Sequence, residues 1–382
     1  MSGQLPRSTK RTQYPLLVRN KSLLALILAI SLIPIHTASA LHSLEKKSSA
    51  PQLANPGLLI IDPTVGRVLS ANQPDSPRVP ASVIKVVTSV VALQYLGGGA
   101  RYATSIWDTA NPGEFILRGS LDPYLTSTRA ISERFGHRYL PTLISKANQA
   151  ERKRLKILYN KLYPRDIDDL AKALKVKGIR TNFVTIESDQ AKELGLTEIA
   201  TLTSEPLDTM ISYTILWSDN RVADRLAKAA ARQAGNPTTS AGLTKTYKEV
   251  LASLAVDSTG LKVHDGSGLS KSNRVSARTV VELLTRIRNE PLFASIYAGL
   301  PIAGETGTLV KRFSKAPLAI GHVHAKTGWV NRSVTMAGYI ESGDKEYVFA
   351  ILADGIVPSL RARNAARNAM DRLLETVVKG DH

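Results

Sequence analysis

Three short motifs carry residue types that can do chemistry together. Ser82-Val83-Ile84-Lys85 sets a hydroxyl and an amine at i and i+3, which on a helix puts both on one face within reach of each other. A serine hydroxyl is a poor nucleophile until a neighbouring base takes its proton. Lysine serves as that base only where burial and nearby positive charge keep it neutral part of the time. A helix start also directs free backbone N–H groups at the reacting centre. Ser218-Asp219-Asn220 adds a second hydroxyl, able to relay a proton to a leaving amine, and a carboxamide able to hold a substrate amide. Lys326-Thr327-Gly328 adds an ammonium and a hydroxyl suited to a carboxylate, with a glycine that lets a ligand approach the backbone.

Each motif alone is weak. About one S-x-x-K arises by chance in a chain this long, and Ser43-Leu44-Glu45-Lys46 is such a decoy, in an expected linker. An isolated S-D-N is ordinarily a helix cap. Placement gives the set its weight. Pro80-Ala81 opens a helical run over 82–96 whose apolar residues fill most faces, so Ser82 starts a buried helix. Helical patterns at 207–216 and 221–233 leave Ser218 and Asn220 on the loop between them. The run 320–326 reads as a strand that ends at Lys-Thr-Gly and forms one wall of a cleft.

The remaining elements must bring these three places together. Apolar runs at 57–62 and 67–71 around Pro63-Thr64-Val65-Gly66 predict a hairpin. Further helices are expected at 243–254 and 277–287, strands at 334–341 and 346–353, and an amphipathic helix at 361–378 that packs on the sheet. Strands at both chain ends predict one sheet assembled from the termini. Residues 101–199 mix strand-like runs, 103–107 and 114–118, with helical patterns such as 168–176, and read as an inserted smaller domain. Residues 41–55 read as a linker.

The 382 residues are 43% hydrophobic and 21% charged, which describes a globular chain with a real core. Cysteine is absent, which excludes disulfides, thiolate metal sites and cysteine nucleophiles. Arg7, Lys10, Arg11, Arg19 and Lys21 precede an apolar run at 22–33 and Ala38-Ser39-Ala40, the pattern of an export signal over 1–40 that is either cleaved or kept as an anchor. The expected location is outside the cytoplasm, periplasmic or extracellular, at the cell envelope. A net charge of +18 suits anionic envelope partners. Nucleic acid is not an expected partner, because zinc-finger spacing, RNP-type aromatics and a Walker loop are all missing.

With the three motifs in this order, the chain resembles the penicillin-recognising serine enzymes. Within them it is similar to the D-alanyl-D-alanine carboxypeptidase/endopeptidase family, the class C low-molecular-mass penicillin-binding proteins. Gly119-Ser120-Leu121-Asp122-Pro123-Tyr124-Leu125, the segment from His264 to Lys271 and Leu300-Pro301-Ile302-Ala303-Gly304-Glu305-Thr306-Gly307-Thr308-Leu309 support the narrower match. The resemblance implies an α/β (α+β) fold: a β-lactamase/transpeptidase-like antiparallel sheet with flanking helices and a helical subdomain. Residues 41–100 and 200–382 would form the catalytic domain and 101–199 the insertion.

The same resemblance implies that Ser82 is acylated by the penultimate D-Ala of a peptidoglycan stem peptide, with D,D-endopeptidase action on cross-links as a second activity. Lys85 would be the acylation base, and Ser218 with Lys326 would protonate the leaving group. Asn220 would orient the peptide, and Thr327 would bind the terminal carboxylate. Backbone N–H groups of Ser82 and Trp329 would hold the oxyanion. β-Lactams would be covalent inhibitors, and no metal or organic cofactor is implied. Two positions depart from the family pattern. Trp329 replaces the small hydroxyl residue that usually follows Lys-Thr-Gly, and Lys271 replaces an arginine, whose bidentate fork a lysine cannot reproduce. A β-lactamase and a catalytically silent wall-binding protein are the alternatives.

Some residues invite a catalytic reading and receive a structural one. Asp122 and Asp265 lie in turn-like sequences where aspartate satisfies its own backbone. His264, His322 and His324 lack a ligand set. Between Arg129 and Arg165 stand ten Lys or Arg and two Asp or Glu. Leu143, Ala147, Leu155, Leu158 and Leu162 form a partial helical stripe there, so a packed helix with a solvated basic face is expected. A patch for an anionic wall polymer or membrane surface is the alternative.

Overall fold

The computed structural model describes residues 43–380. The expected signal over 1–40 lies outside them. The chain ends do build one sheet. Its strands run in the spatial order Val323–Val330, Ser333–Ser342, Lys345–Asp354, Asn55–Asp62, Arg67–Asn72, with every neighbouring pair antiparallel. Side chains alternate between two cores, as a period of two demands. Leu59, Tyr339, Val348 and Ala350 face the core shared with the helix Ala277–Ile287, where Tyr339 donates its hydroxyl to the Leu284 carbonyl. Leu58, Ile60, Phe349 and Ile351 face the C-terminal helix Leu360–Val378. Both faces are thus covered, which explains why the strands read as nearly continuous apolar runs.

The Ser82 helix begins as a 3-10 turn, Ala81–Val83, and continues as Ile84–Leu96. Every residue from Ile84 to Leu93 is buried, Lys85 included. A helix apolar all round belongs in the centre. Gly97, at φ 76°, ends it.

Residues 103–203 hold a second five-stranded sheet, in the order Arg180–Thr185, Arg154–Asn160, Glu114–Arg118, Ala103–Asp108, Glu198–Thr203. The first two pairings are parallel and the last two antiparallel. Ile106, Leu117, Leu143, Ile157 and Leu170 pack in its core.

Three expectations are corrected. Of the expected linker over 41–55, residues 43–55 are packed instead: 43–48 are helical and Pro51–Leu53 form a 3-10 turn, because Leu44 and Leu53 are fully buried beside the C-terminal helix. The strand carrying Lys326-Thr327-Gly328 does not end there but runs on to Val330, held by pairing as far as Ser333. The leucine stripe within 129–165 is not one helix. Helices Arg129–Phe135 and Pro141–Ala147 precede the strand Arg154–Asn160, whose Leu155 and Leu158 point into different clusters.

Candidate active site

Ser82 stands at the helix start, partly exposed in a cleft of about 670 Å³ that Ser218, Asn220, Lys271, Thr308, Thr327, Gly328 and Trp329 also line. Lys85 lies one turn deeper and is fully buried. Its Nζ donates to Ser82 Oγ at 2.9 Å, to Asn220 Oδ1 at 2.7 Å and to the Ser267 carbonyl at 2.5 Å. Burial disfavours its charge, and although Asp265 and Asp219 oppose this, the amine is brought down to about 7. It therefore exchanges a proton near neutral pH, as a general base must.

The position of the Ser267 carbonyl is set by Asp265. Its Oδ1 accepts from the N–H groups of Ser267 at 2.8 Å and Gly268 at 2.6 Å, and from Ser267 Oγ at 2.7 Å, while Oδ2 accepts from Ser270 N at 2.7 Å. Burial opposes the Asp265 charge, but these hydrogen bonds outweigh it and hold the carboxyl below its usual range. Thr88 Oγ1 fixes the same loop through the Gly266 carbonyl at 2.7 Å.

The Ser218-Asp219-Asn220 segment divides its labour. Asp219 caps the helix Asn220–Gln233 by accepting from Val222 N at 2.9 Å. Ser218, at φ 60°, is the left-handed residue that turns the chain between two helices. Asn220, the first helical residue, reaches Lys85.

Lys326 is fully buried on the edge strand and donates to the Thr327 carbonyl at 2.9 Å. Burial and the positive Lys85 push its ammonium well below the usual lysine range. Ala325 N donates to Pro301 O, and Val323 O accepts from Ala303 N, so odd-numbered residues turn their backbone groups to the outer edge. Strand alternation places those of Thr327 and Trp329 on the same edge, facing the cleft.

Gly328 does something other than admit a ligand. A Cβ there would stand 2.6 Å from Ser82 N and would overlap Thr335 Oγ1. Its missing side chain lets the strand approach the helix start, and Thr335 Oγ1 fastens the two by donating to the Pro80 carbonyl at 2.8 Å.

This geometry accompanies a sequence match. The profile of the D-Ala-D-Ala carboxypeptidase 3 (S13) family matches residues 40–181 and 145–377. The chain belongs to this S13 family. Among its relatives, the carboxypeptidase DacB of Mycolicibacterium smegmatis is 27% identical over 381 residues, covering 85% of this chain and 81% of the relative. A D-alanyl-D-alanine carboxypeptidase of Actinomadura sp. strain R39 is 34% identical over 198 residues, 49% of this chain and 36% of that one. The fold is shared with penicillin binding protein 4 of Haemophilus influenzae, at a TM-score of 0.68 and 17% identity over 87% of this chain and 97% of that one. It is shared too with a penicillin G-acylated predatory endopeptidase of Bdellovibrio bacteriovorus, at a TM-score of 0.58 and 18% identity over 85% and 91% of the two chains.

As an S13 member the chain has the α/β, penicillin-binding-protein architecture that its motifs imply. The structure gathers Ser82, Lys85 and Asn220 into direct contact. Ser218, Lys271, Thr327 and Trp329 share the cleft, Lys271 as an exposed residue. Trp329 is 51% exposed, with the Arg363 guanidinium 4.0 Å over its ring. Asp122 is fully buried and accepts from Tyr124 N at 2.7 Å. Among the described residues no group of three or more His, Asp or Glu is placed to hold a metal, and His324 instead stacks on Tyr297.

Thr308, Lys311, Arg312 and Arg367 also line the cleft. Sequence reasoning missed them because their approach to Ser82 is tertiary. The Gly-Thr-Leu at 307–309, within a segment already similar to the family, was the available signal.

Proposed function

We propose that this S13 protein is a serine D-alanyl-D-alanine carboxypeptidase that removes the terminal D-Ala of peptidoglycan stem peptides and also cleaves cross-links as an endopeptidase. The observation that carries the reading is the Ser82 hydroxyl held 2.9 Å from a buried amine poised near neutral pH. Ser82 Oγ attacks the penultimate D-Ala carbonyl while Lys85 Nζ takes its proton. The oxyanion lies between the N–H groups of Ser82 and Trp329, each such donor contributing about 10²- to 10³-fold. The C–N bond then breaks, and the leaving amine takes a proton through Ser218 and Lys326. Water cleaves the ester, releasing the shortened peptide and restoring the hydroxyl. Asn220 and the outer edge of the Val323–Val330 strand hold the extended peptide, a strand-addition mode of binding. β-Lactams acylate the same oxygen.

We further infer that residues 41–100 and 200–382 act as the catalytic domain, with 101–199 as an insertion, and that 1–40 direct export to the envelope. Arg152, Lys153, Arg154 and Lys161 on the insertion are exposed, with no carboxylate at ion-pair distance among the described residues. They suit an anionic wall polymer or membrane surface. Replacing all four with Gln abolishes salt-sensitive retention on isolated walls; unchanged retention removes this role.

The direct test is release of D-Ala from a diacyl-Lys-D-Ala-D-Ala peptide. Release by the wild type, lost in Ser82→Ala, is expected; no release contradicts the reading. A penicillin adduct that turns over rapidly would favour the β-lactamase alternative. The intact Ser82–Lys85 contact argues against a silent wall-binding protein.

A further inference from the structure

The cleft has a charge imbalance. Lys271, Lys311, Arg312 and Arg367 line it, and no Asp or Glu does. Two of the three arginines around its outer end are satisfied within the protein. Arg312 forks onto Asp371, Nη2 to Oδ1 at 2.5 Å and Nε to Oδ2 at 3.1 Å. Arg363 spends its guanidinium on the Trp329 ring.

Arg367 has neither arrangement. Among the described residues its side chain makes one hydrogen bond, a 3.4 Å contact with Asn364 Oδ1, and no carboxylate lies at ion-pair distance. It stands one helical turn from each of Arg363 and Asp371; burial and the charges of Arg312 and Arg363 weigh against its own charge, and Asp371, already forked by Arg312, offsets them only in part. A half-buried cation among like charges, open to a cleft, is a place for an anion.

Hydroxyl groups point to where that anion sits. Thr308 Oγ1 and Thr327 Oγ1 are 2.7 Å apart on the cleft wall. Among the described residues neither hydroxyl has another side-chain partner, and a carboxylate offers both a stronger acceptor. Lys311 and Arg312 stand three and four residues after Thr308, past the 3-10 turn Gly307–Leu309, and Arg312 donates to the Arg367 carbonyl at 3.3 Å. Hydroxyls and cations therefore line the same cleft. Trp329 brings no hydroxyl to it.

We propose that Thr308 and Arg367 complete a carboxylate subsite with Thr327, and that its ligand is the free carboxylate ending the substrate peptide. Thr308 supplies the second hydroxyl, and Arg367 supplies the charge. The proposal rests on the carboxypeptidase reading and adds what makes this cleft select a charged C-terminus.

The test compares diacetyl-Lys-D-Ala-D-Ala with its C-terminal amide, in which the carboxylate is neutral and the scissile bond unchanged. The wild type prefers the acid. Arg367→Gln and Thr308→Val each lower kcat/KM for the acid by about 10- to 100-fold, leave the amide within about twofold, and so collapse the preference. Thr308→Ser, which keeps the hydroxyl, retains it. An undiminished preference in both variants, or equal losses on acid and amide, overturns the subsite while leaving the carboxypeptidase reading intact. A wild type that releases D-Ala from neither peptide and forms no penicillin adduct overturns that reading and the subsite with it. Thermal unfolding of each variant reports that the fold survives substitution.

Discussion

Gly328 lies against the Ser82 backbone so closely that a Cβ there would stand 2.6 Å from the Ser82 nitrogen. The edge strand and the helix start are therefore fixed relative to each other by an absent side chain. Both proposed oxyanion donors, at Ser82 and Trp329, depend on that spacing.

Gly328→Ala must push strand and helix apart. Thermal unfolding of the variant reports a loss of about 1–3 kcal/mol, and its penicillin acylation rate falls by about 10²-fold or more, since small misplacements at a reacting centre are costly. A variant acylated at the wild-type rate contradicts this account of the glycine.

Acylation depends on pH through Lys85. The neutral amine is the competent form, so with the amine at about 7 the acylation rate rises with pH below 7, approaching tenfold per unit, and levels off above it. Stopped-flow acylation between pH 5 and 9 checks it. A rate still climbing steeply at pH 9 places the base elsewhere.

The same group links stability to pH. Lys85 has a folded value near 7 against an ordinary 10.5, so between those limits the unfolded chain binds more protons and stability rises with pH. The slope reaches about 1.4 kcal/mol per unit for one proton. Urea melts at pH 7.5 and 9.5 show a larger gain for the wild type than for Lys85→Met. Equal gains exclude the buried amine as the source.

Asp265→Asn separates position from charge. The amide turns a donor toward backbone N–H groups that now have an acceptor, a cost of about 1–3 kcal/mol in stability. Asp265 also raises the Lys85 value, so its neutralisation moves the acid limb of the acylation profile to lower pH. An unmoved limb means that the carboxylate acts on the loop alone.

Much of this was legible in the sequence where local pattern decides structure. The apolar residues that fill every face of 84–93 announce a central helix, and the strands at both chain ends announce their shared sheet. Leu44 escaped notice because one buried leucine in a polar stretch has no periodicity; only the C-terminal helix, more than three hundred residues on, makes it core. The basic stretch misled for a related reason. Leucines at 155, 158 and 162 fit a helical spacing, yet parallel pairing of 154–160 with Glu114–Arg118 and Arg180–Thr185 made it a strand. Within the site, motif residues were visible as words. The Ser267 carbonyl and Arg367 were not, since a backbone oxygen has no letter and one arginine of a basic helix looks like the next.

The most direct measurement is intact and peptide mass spectrometry after labelling with benzylpenicillin. The account predicts one covalent adduct per chain, mapped to Ser82, absent from Ser82→Ala and formed far more slowly in Lys85→Met. An unlabelled wild type, or an adduct that persists in Ser82→Ala, would contradict it.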